Sequence, residues 1–306
     1  MYLAHFGLNE HPFSITPDTS FFFSTSRHQE ALNTLLIAAR TGEGFIKITG
    51  EVGTGKTLLC RKFMVSLGDE FKIAYIPNPN LEPQSLLMAL AEELGVAVNP
   101  ASGQHHLIKS INLALLEFAS HGKRVLVCLD EAQAMPLDTM EALRLLTNLE
   151  TEKQKLLQVV IFGQPELDVK LSHESIRQLK QRITFDYRLD ALTRDELHYY
   201  LNHRLMVAGY QGGRLFSQGA LKIMRNKTQG VPRLVNVLAH KSLMAAYGKG
   251  KKMVETADVV AASEDTSATR GLIWRGWNPM ALVAVSITAT LAVVMSVMML
   301  SGLVIK

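Results

Sequence analysis

Two cysteines in 306 residues are too few for a disulfide framework. Cys60 and Cys128 both fall inside apolar runs, so they read as small buried hydrophobes, and a reducing compartment fits them. The ten histidines include no H-E-x-x-H pair and no Cys/His spacing that would grip zinc; His105, His106, His198 and His203 read as surface residues. A large excess of one charge is also missing. With 32 basic and 28 acidic residues the net charge is +4, too small to mark a nucleic-acid surface. Between Met1 and Glu10 there is neither a basic nor an apolar leader, so no signal peptide is expected. Charge is absent altogether from residues 280–305. As a helix that stretch would be roughly 39 Å long, enough to cross a ~30 Å hydrocarbon core with some tilt. Trp274 and Trp277 precede it where interfacial aromatics belong, and Arg270 and Arg275 flank the same side. The expectation is a single-pass transmembrane helix with the bulk of the chain in the cytoplasm.

Glycine is concentrated where chemistry would need it. Gly50-Glu51-Val52-Gly53-Thr54-Gly55-Lys56-Thr57 fits the phosphate-binding pattern G-x-x-x-x-G-K-[ST]. Glycines let backbone N–H groups turn toward a polyanion without Cβ clashes. Lys56 reaches toward the β- and γ-phosphates, and the Thr57 hydroxyl offers a ligand to Mg²⁺. Context supports the match. Residues 45–49 (FIKIT) read as a buried strand leading in, and residues 58–65 as a helix leading out, which sets a helix N-terminus against the phosphates. The nucleotide-binding expectation therefore covers Gly50, Glu51, Val52, Gly53, Thr54, Gly55, Lys56, Thr57 and Leu58, with ATP and Mg²⁺ as ligands.

A second motif supplies carboxylates. Val125-Leu126-Val127-Cys128-Leu129 is an apolar strand that ends in Asp130-Glu131. A carboxylate at such a tip can hold hydrated Mg²⁺, and its neighbour can orient and activate an attacking water. Asp130 is assigned to the metal together with Thr57, and Glu131 to the water. An acidic pair that merely ends a strand is the alternative; the upstream loop argues against it.

The elements alternate over residues 1–190. A Phe- and Pro-rich lead-in over 1–26 reads as irregular. Helices are expected near 27–40, 56–67, 83–94, 104–121 and 136–150, and strands at 45–49, 71–76, 124–129, 156–162 and 184–189. Strands separated by helices predict an α/β core: a parallel sheet with helices on both faces. From 191 to 262 the period is helical throughout. Thr193-x-x-Glu196 forms a capping box, Ser217 caps a second helix, Pro232 opens a third and Thr256 a fourth, which makes a small helical lid. Residues 263–279 read as a juxtamembrane linker before the span at 280–305. Lys249, Lys251 and Lys252 read either as lipid-facing or as a solvated loop.

The motifs GEVGTGKT and LVCLDE followed by a helical lid resemble the AAA+ P-loop NTPases. YLAHFGLNEHPFSITPDTSFFF at 2–23, LRLLTNLET at 143–151, VVIFGQPEL at 159–167 and GVPRLVN at 230–236 narrow the likeness to the ExeA/GspA-type secretion ATPases, and within them to pilus-biogenesis relatives of the MSHA type. That resemblance implies further roles. Gln164, after the fourth strand, matches a polar sensor of the γ-phosphate, against the alternative of an ordinary loop residue. Arg233 matches the second sensor, carried by the lid, against a surface salt bridge. Arg182 resembles the arginine finger that a neighbouring subunit supplies, with Arg177 as its rival. Phe21, Phe22 and Phe23 lie near the adenine or simply pack the core. The ExeA-type relatives continue into a periplasmic peptidoglycan-binding region, which these 306 residues do not include, so direct peptidoglycan contact is not expected.

The resemblance thus implies a membrane-anchored ATPase, working as a homo-oligomeric ring, that supports assembly of an envelope machine with inner-membrane pilus or secretion proteins as partners. Two other classes stand beside it. A DNA-acting AAA+ protein, such as a transposition accessory ATPase, would need a basic surface that the charge balance does not offer. A scaffold that binds ATP without hydrolysing it would have no use for Glu131.

Overall fold

The computed structural model describes residues 2–23, 26–97, 103–150 and 155–270. Five strands form one parallel sheet in the order β2-β3-β4-β1-β5. They are β1 (Phe45–Gly50), β2 (Phe71–Ile76), β3 (Arg124–Leu129), β4 (Leu157–Gly163) and β5 (Phe185–Leu189). All residues of β1 and β4 are buried, as central strands covered on both faces are, and the one charged member, Lys47, is paired with Asp168 and Asp186. Alternate residues serve opposite faces. Phe45, Val127, Val159 and Ile161 pack with α4 (Pro83–Leu94), α5 (Gln104–Ser120) and α6 (Leu137–Leu146). Ile46, Ile48, Leu126, Cys128 and Phe162 pack with α2 (Ser26–Thr41) and α3 (Lys56–Ser66). The two cysteines are both free and buried in this second layer.

A third core joins α9 (Arg194–Val207), α10 (Gln218–Thr228), α11 (Pro232–Gly248) and α12 (Thr256–Glu264) to the N-terminal lead-in. Both halves of the Thr193/Glu196 capping box form, and the Ser217 hydroxyl accepts from the Ala220 N–H. The lead-in is less irregular than its Pro and Phe content predicts. Tyr2–Phe6 is a helix (α1), and Tyr2, Phe6, Leu8, Phe13 and Phe21 are buried with lid residues. The Asn9 N–H donates to the Ala208 carbonyl at 2.8 Å.

Three other expectations shift. The helix expected to run to Glu150 ends at Leu146, because the Thr147 hydroxyl turns back to the Arg144 carbonyl and Glu150 bridges antiparallel to Lys155 ahead of β4. Two short helices, α7 (Glu166–Leu171) and α8 (Arg177–Lys180), escape periodicity because each spans too few residues to show it. Residues 263–270 are not linker. Ser263 and Glu264 are the last residues of α12, Ser267–Arg270 is a further helix (α13), and the buried hydroxyls of Thr266 and Thr269 donate to the Ala262 and Ser263 carbonyls. Short hydroxyl side chains that return to the helix backbone can be buried despite their polarity.

Lys249 and Lys251 pair with the buried Asp258, Lys251 also with Glu255, and Lys252 donates to the His5 carbonyl. They staple the lid internally rather than standing free as lipid contacts. The span expected over 280–305 and the linker beyond 270 lie outside the described residues; among the described residues no helix is long and apolar enough to cross a membrane.

Candidate functional site

Because β4 lies between β3 and β1, the chain leaving all three strands emerges along one edge of the sheet. That edge gathers the loop after β1, Asp130 and Glu131 after β3, and Gln164 after β4. A cleft of about 190 Å³ opens there, bordered by Pro17, Val52, Lys56, Glu131, Arg204 and Arg233. Thr57 and Leu58 also line it.

The loop needs its glycines. Gly53 and Gly55 sit at φ 81° and 101°, where other residues are strained. A Cβ at Gly53 would stand 2.6 Å from the Arg233 Cβ, and one at Gly50 would stand 2.6 Å from the Leu189 carbonyl oxygen. The loop is also braced from within and behind. The Thr54 hydroxyl donates to the Glu51 carbonyl at 2.9 Å. Buried His28 donates from Nε2 to the Thr54 carbonyl at 3.1 Å, and burial lowers its pKa, which suits a neutral ring.

Helix α3 begins at Lys56. The Lys56 ammonium is buried and donates to the Gly50 and Glu51 carbonyls at 2.8 and 3.0 Å. Burial pulls its pKa below the ordinary lysine value, against the pull of the Glu131, Asp130 and Glu51 carboxylates. At the next residue, the Thr57 hydroxyl donates to Asp130 Oδ2 at 2.6 Å. Asp130 is itself buried, which pushes its carboxyl up despite that bond. Its Oδ1 accepts from the Glu131 N–H at 2.9 Å.

Glu131 has a left-handed backbone, φ 53° and ψ 37°. Its Oε2 accepts from the Gln133 amide at 2.5 Å and from the Gln164 amide at 3.1 Å. Burial alone would raise this carboxyl; the two amides and the Lys56 charge outweigh it and hold Glu131 below its ordinary value. Glu131 therefore stands ionised at neutral pH.

The three candidate arginines fall differently. The Arg233 backbone N–H donates to the Gly53 carbonyl at 3.1 Å and its side chain borders the cleft, so the start of α11 rests directly on the loop. Arg182 is away from the cleft, donating to the Thr147 hydroxyl at 3.0 Å, and Arg177 is exposed on α8. One copy of the chain does not bring either finger candidate to its own site. Phe21, Phe22 and Phe23 line a small cavity next to the loop, together with Gly55 and Leu58.

Sequence reasoning missed a polar knot at the back of the cleft. Arg204 is buried in the lid, where its guanidinium donates to the Pro12 carbonyl at 2.5 Å and to the Ser14 carbonyl at 3.3 Å and lies over the Phe21 ring at 4.7 Å. The Tyr200 hydroxyl, which Arg204 also reaches, donates to Asn236 Oδ1 at 2.8 Å, and the Asn236 amide donates to the same Ser14 carbonyl. The available signal was an arginine on the apolar stripe Leu197-Leu201-Leu205 of α9. Arg204→Ala takes the donor from the Pro12 carbonyl and one of two donors from the Ser14 carbonyl. It is expected to lower stability by about 2–4 kcal/mol, read as the urea midpoint at unchanged slope.

The donor set fits a nucleoside triphosphate with a hard divalent cation. A hydroxyl and a carboxylate oxygen at 2.6 Å are the ligand types Mg²⁺ takes, and the glycine cradle beside a buried ammonium suits phosphate.

Comparison with known proteins agrees with this geometry. The AAA domain family matches residues 39–171. General secretion pathway protein A of Aeromonas hydrophila is 40% identical over 291 residues, which is 95% of this chain and 53% of that protein. The chain thus spans about half the length of that relative. Among solved structures, the ORC2 protein of Aeropyrum pernix has a TM-score of 0.61 at 17% identity, covering 82% of this chain and 72% of that one. The RuvB Holliday junction branch migration motor of Thermotoga maritima has a TM-score of 0.56 at 15% identity, covering 84% and 73%. Likeness at such identities is one of fold. With its parallel sheet, phosphate loop, acidic strand tip and helical lid, the chain carries an AAA domain over residues 39–171 and is related to General secretion pathway protein A along nearly all of its own length.

Proposed function

We propose that the chain is a membrane-anchored ATPase whose hydrolysis of ATP supports assembly of a cell-envelope machine, a type IV pilus of the MSHA type or a type II secretion-like system. The observation that carries the ATPase reading is the line from Thr57 through Asp130 to Glu131, set across one cleft from Lys56. The relative's name supports the secretion setting, and the apolar stretch 280–305 supports the anchor.

In this reading the loop N–H groups and the start of α3 hold the triphosphate, and Lys56 turns from the Gly50 and Glu51 carbonyls to its outer phosphates. Thr57 and Asp130 hold Mg²⁺, which when bound neutralises charge on the transferring phosphoryl group. Glu131 aligns the attacking water and draws on its proton, and Gln164 fixes that carboxylate. Arg233 senses the phosphate state and passes it to the lid, to which the lead-in is tied through Arg204. The site is completed by Arg182 from a neighbouring copy. The transmembrane helix keeps a ring of such subunits at the inner membrane, beside pilus or secretion proteins.

The test is complementation. Arg182→Ala and Glu131→Gln are each expected to lack turnover, yet their mixture should regain phosphate release, because a Glu131→Gln neighbour lends its Arg182 to an intact Glu131 site. Turnover per subunit should also climb with protein concentration. A mixture as inactive as its parts, with Arg177→Ala mixtures active instead, would move the finger to Arg177. A rate per subunit independent of concentration would remove the trans finger.

A further inference from the structure

Glu131 cannot aim itself. Its left-handed backbone is costly for a residue with a Cβ and persists only when its surroundings determine it. The Glu131 N–H is held by Asp130 Oδ1 and its carbonyl by the Ala134 N–H, and one further side chain grips its carboxylate. Gln133, in the 3₁₀ turn Ala132–Ala134, makes two bonds with opposite ends of its amide. Its Nε2 donates to Glu131 Oε2 at 2.5 Å, and its Oε1 accepts from the Gln164 backbone N–H at 2.9 Å. The second bond fixes the first. A backbone N–H can only donate, so the oxygen end must face Gln164 and the nitrogen end must face Glu131.

The end of β4 leaves room for this. A Cβ at Gly163 would lie 2.6 Å from Leu167 Cδ2 and 3.3 Å from Gln133 Oε1. The glycine therefore lets α7 and the Gln133 amide close on the strand end. The Gly163-Gln164 step then contributes a backbone donor to Gln133 and a side-chain donor to Glu131. Gln133 thus ties the tip of β3 to the tip of β4, and through Glu131 and Asp130 to Thr57 on α3.

The consequence is an asymmetry in one carboxylate. Two amides fill the lone pairs of Oε2. Oε1 is left as the oxygen available to a water in the cleft that Glu131 borders. We propose that Gln133 is a positioning residue for the hydrolytic step: it grips Oε2 of Glu131, directs Oε1 toward the attacking water, and holds Gln164 in the same frame. This rests on the reading of Glu131 given above. Gln133 is not among the residues bordering the cleft, so its loss falls on the chemical step and spares nucleotide affinity.

The test is a double-mutant cycle on the full chain, with Mg·ATP affinity and single-turnover phosphate release measured for each protein. Gln133→Leu removes both bonds; Gln133→Glu keeps the length and the acceptor for the Gln164 N–H but sets a carboxylate against Glu131. Each is expected to lower the hydrolysis rate roughly tenfold or more, while Kd and KM stay within about twofold. On a Glu131→Gln background the same substitutions should cost nothing further, because residues acting as one unit do not add. A normal rate in the folded Gln133→Glu protein overturns the proposal. So does a full additional tenfold loss on the Glu131→Gln background, or a loss of affinity that matches the loss of rate. Normal turnover in Glu131→Gln itself removes the reading of Glu131 instead, which the single substitution reports separately.

Discussion

Lys56→Ala is expected to abolish measurable ATP binding while the protein stays folded. The ammonium is already stripped of most of its water, and burial disfavours its charge. In the free protein only the Gly50 and Glu51 carbonyls and the nearby carboxylates compensate for that. A triphosphate brings several negative charges within reach and relieves the penalty. A single contact near 4 Å at the effective dielectric of such a site is worth about 4 kcal/mol, on the order of a thousandfold in Kd. Alanine removes that contact and leaves two loop carbonyls facing the bound anion, so the loss compounds. Arginine does not substitute, because its planar fork demands room that the narrow turn from Gly50 to Gly55 lacks. Fluorescent-nucleotide titration beside a circular dichroism melt separates lost affinity from lost fold. Affinity within tenfold of the parent protein would mean that Lys56 does not face the phosphates.

Glu131→Gln is expected to do the opposite: keep ATP and lose turnover by at least roughly a hundredfold. The substitution conserves size, and its carbonyl oxygen can still accept from Gln133 and Gln164, which both reach Oε2 in the parent. It removes only the charge that polarises a water. Binding is spared for a second reason. Glu131 is held ionised by its amide neighbours and by Lys56, so the parent places a negative charge beside a polyphosphate, and the amide relieves that repulsion. The variant should therefore bind ATP at least as tightly and accumulate in the ATP-bound state. Phosphate release under single-turnover conditions is the readout. A rate near that of the parent would pass the role of Glu131 to another group.

Much of this site was legible in the sequence because its parts are local. The loop is a contiguous pattern whose glycines are enforced by φ and by close neighbours, as at Gly53. The strands β3 and β4 announce themselves by the apolar runs 125–129 and 159–162, because both of their faces are covered. What was hidden depends on strand order and on long-range pairs. That Gln164 meets Glu131 follows from β4 lying beside β3, which no local pattern encodes. Gln133 carries no local signal because its second partner, the Gln164 N–H, arrives only with the end of β4. Arg204 has no partner in its own stretch of sequence that would single it out; only the return of the lead-in, 190 residues away in sequence, gives its guanidinium the Ser14 carbonyl to bind. Residues 263–270 read as linker because polarity was taken for exposure, whereas their hydroxyls are satisfied by backbone carbonyls.

All the roles assigned here presuppose one ligand in one place: a triphosphate seated over residues 50–57 with its cation between Thr57 and Asp130. Isothermal titration of the folded protein with ATP, run with Mg²⁺ and again with the cation chelated, addresses that directly. Saturable binding at one nucleotide per chain, markedly weakened without the cation and by Asp130→Asn, is the predicted result. No heat of binding with Mg·ATP, or affinity indifferent to both the cation and Asp130, would contradict it.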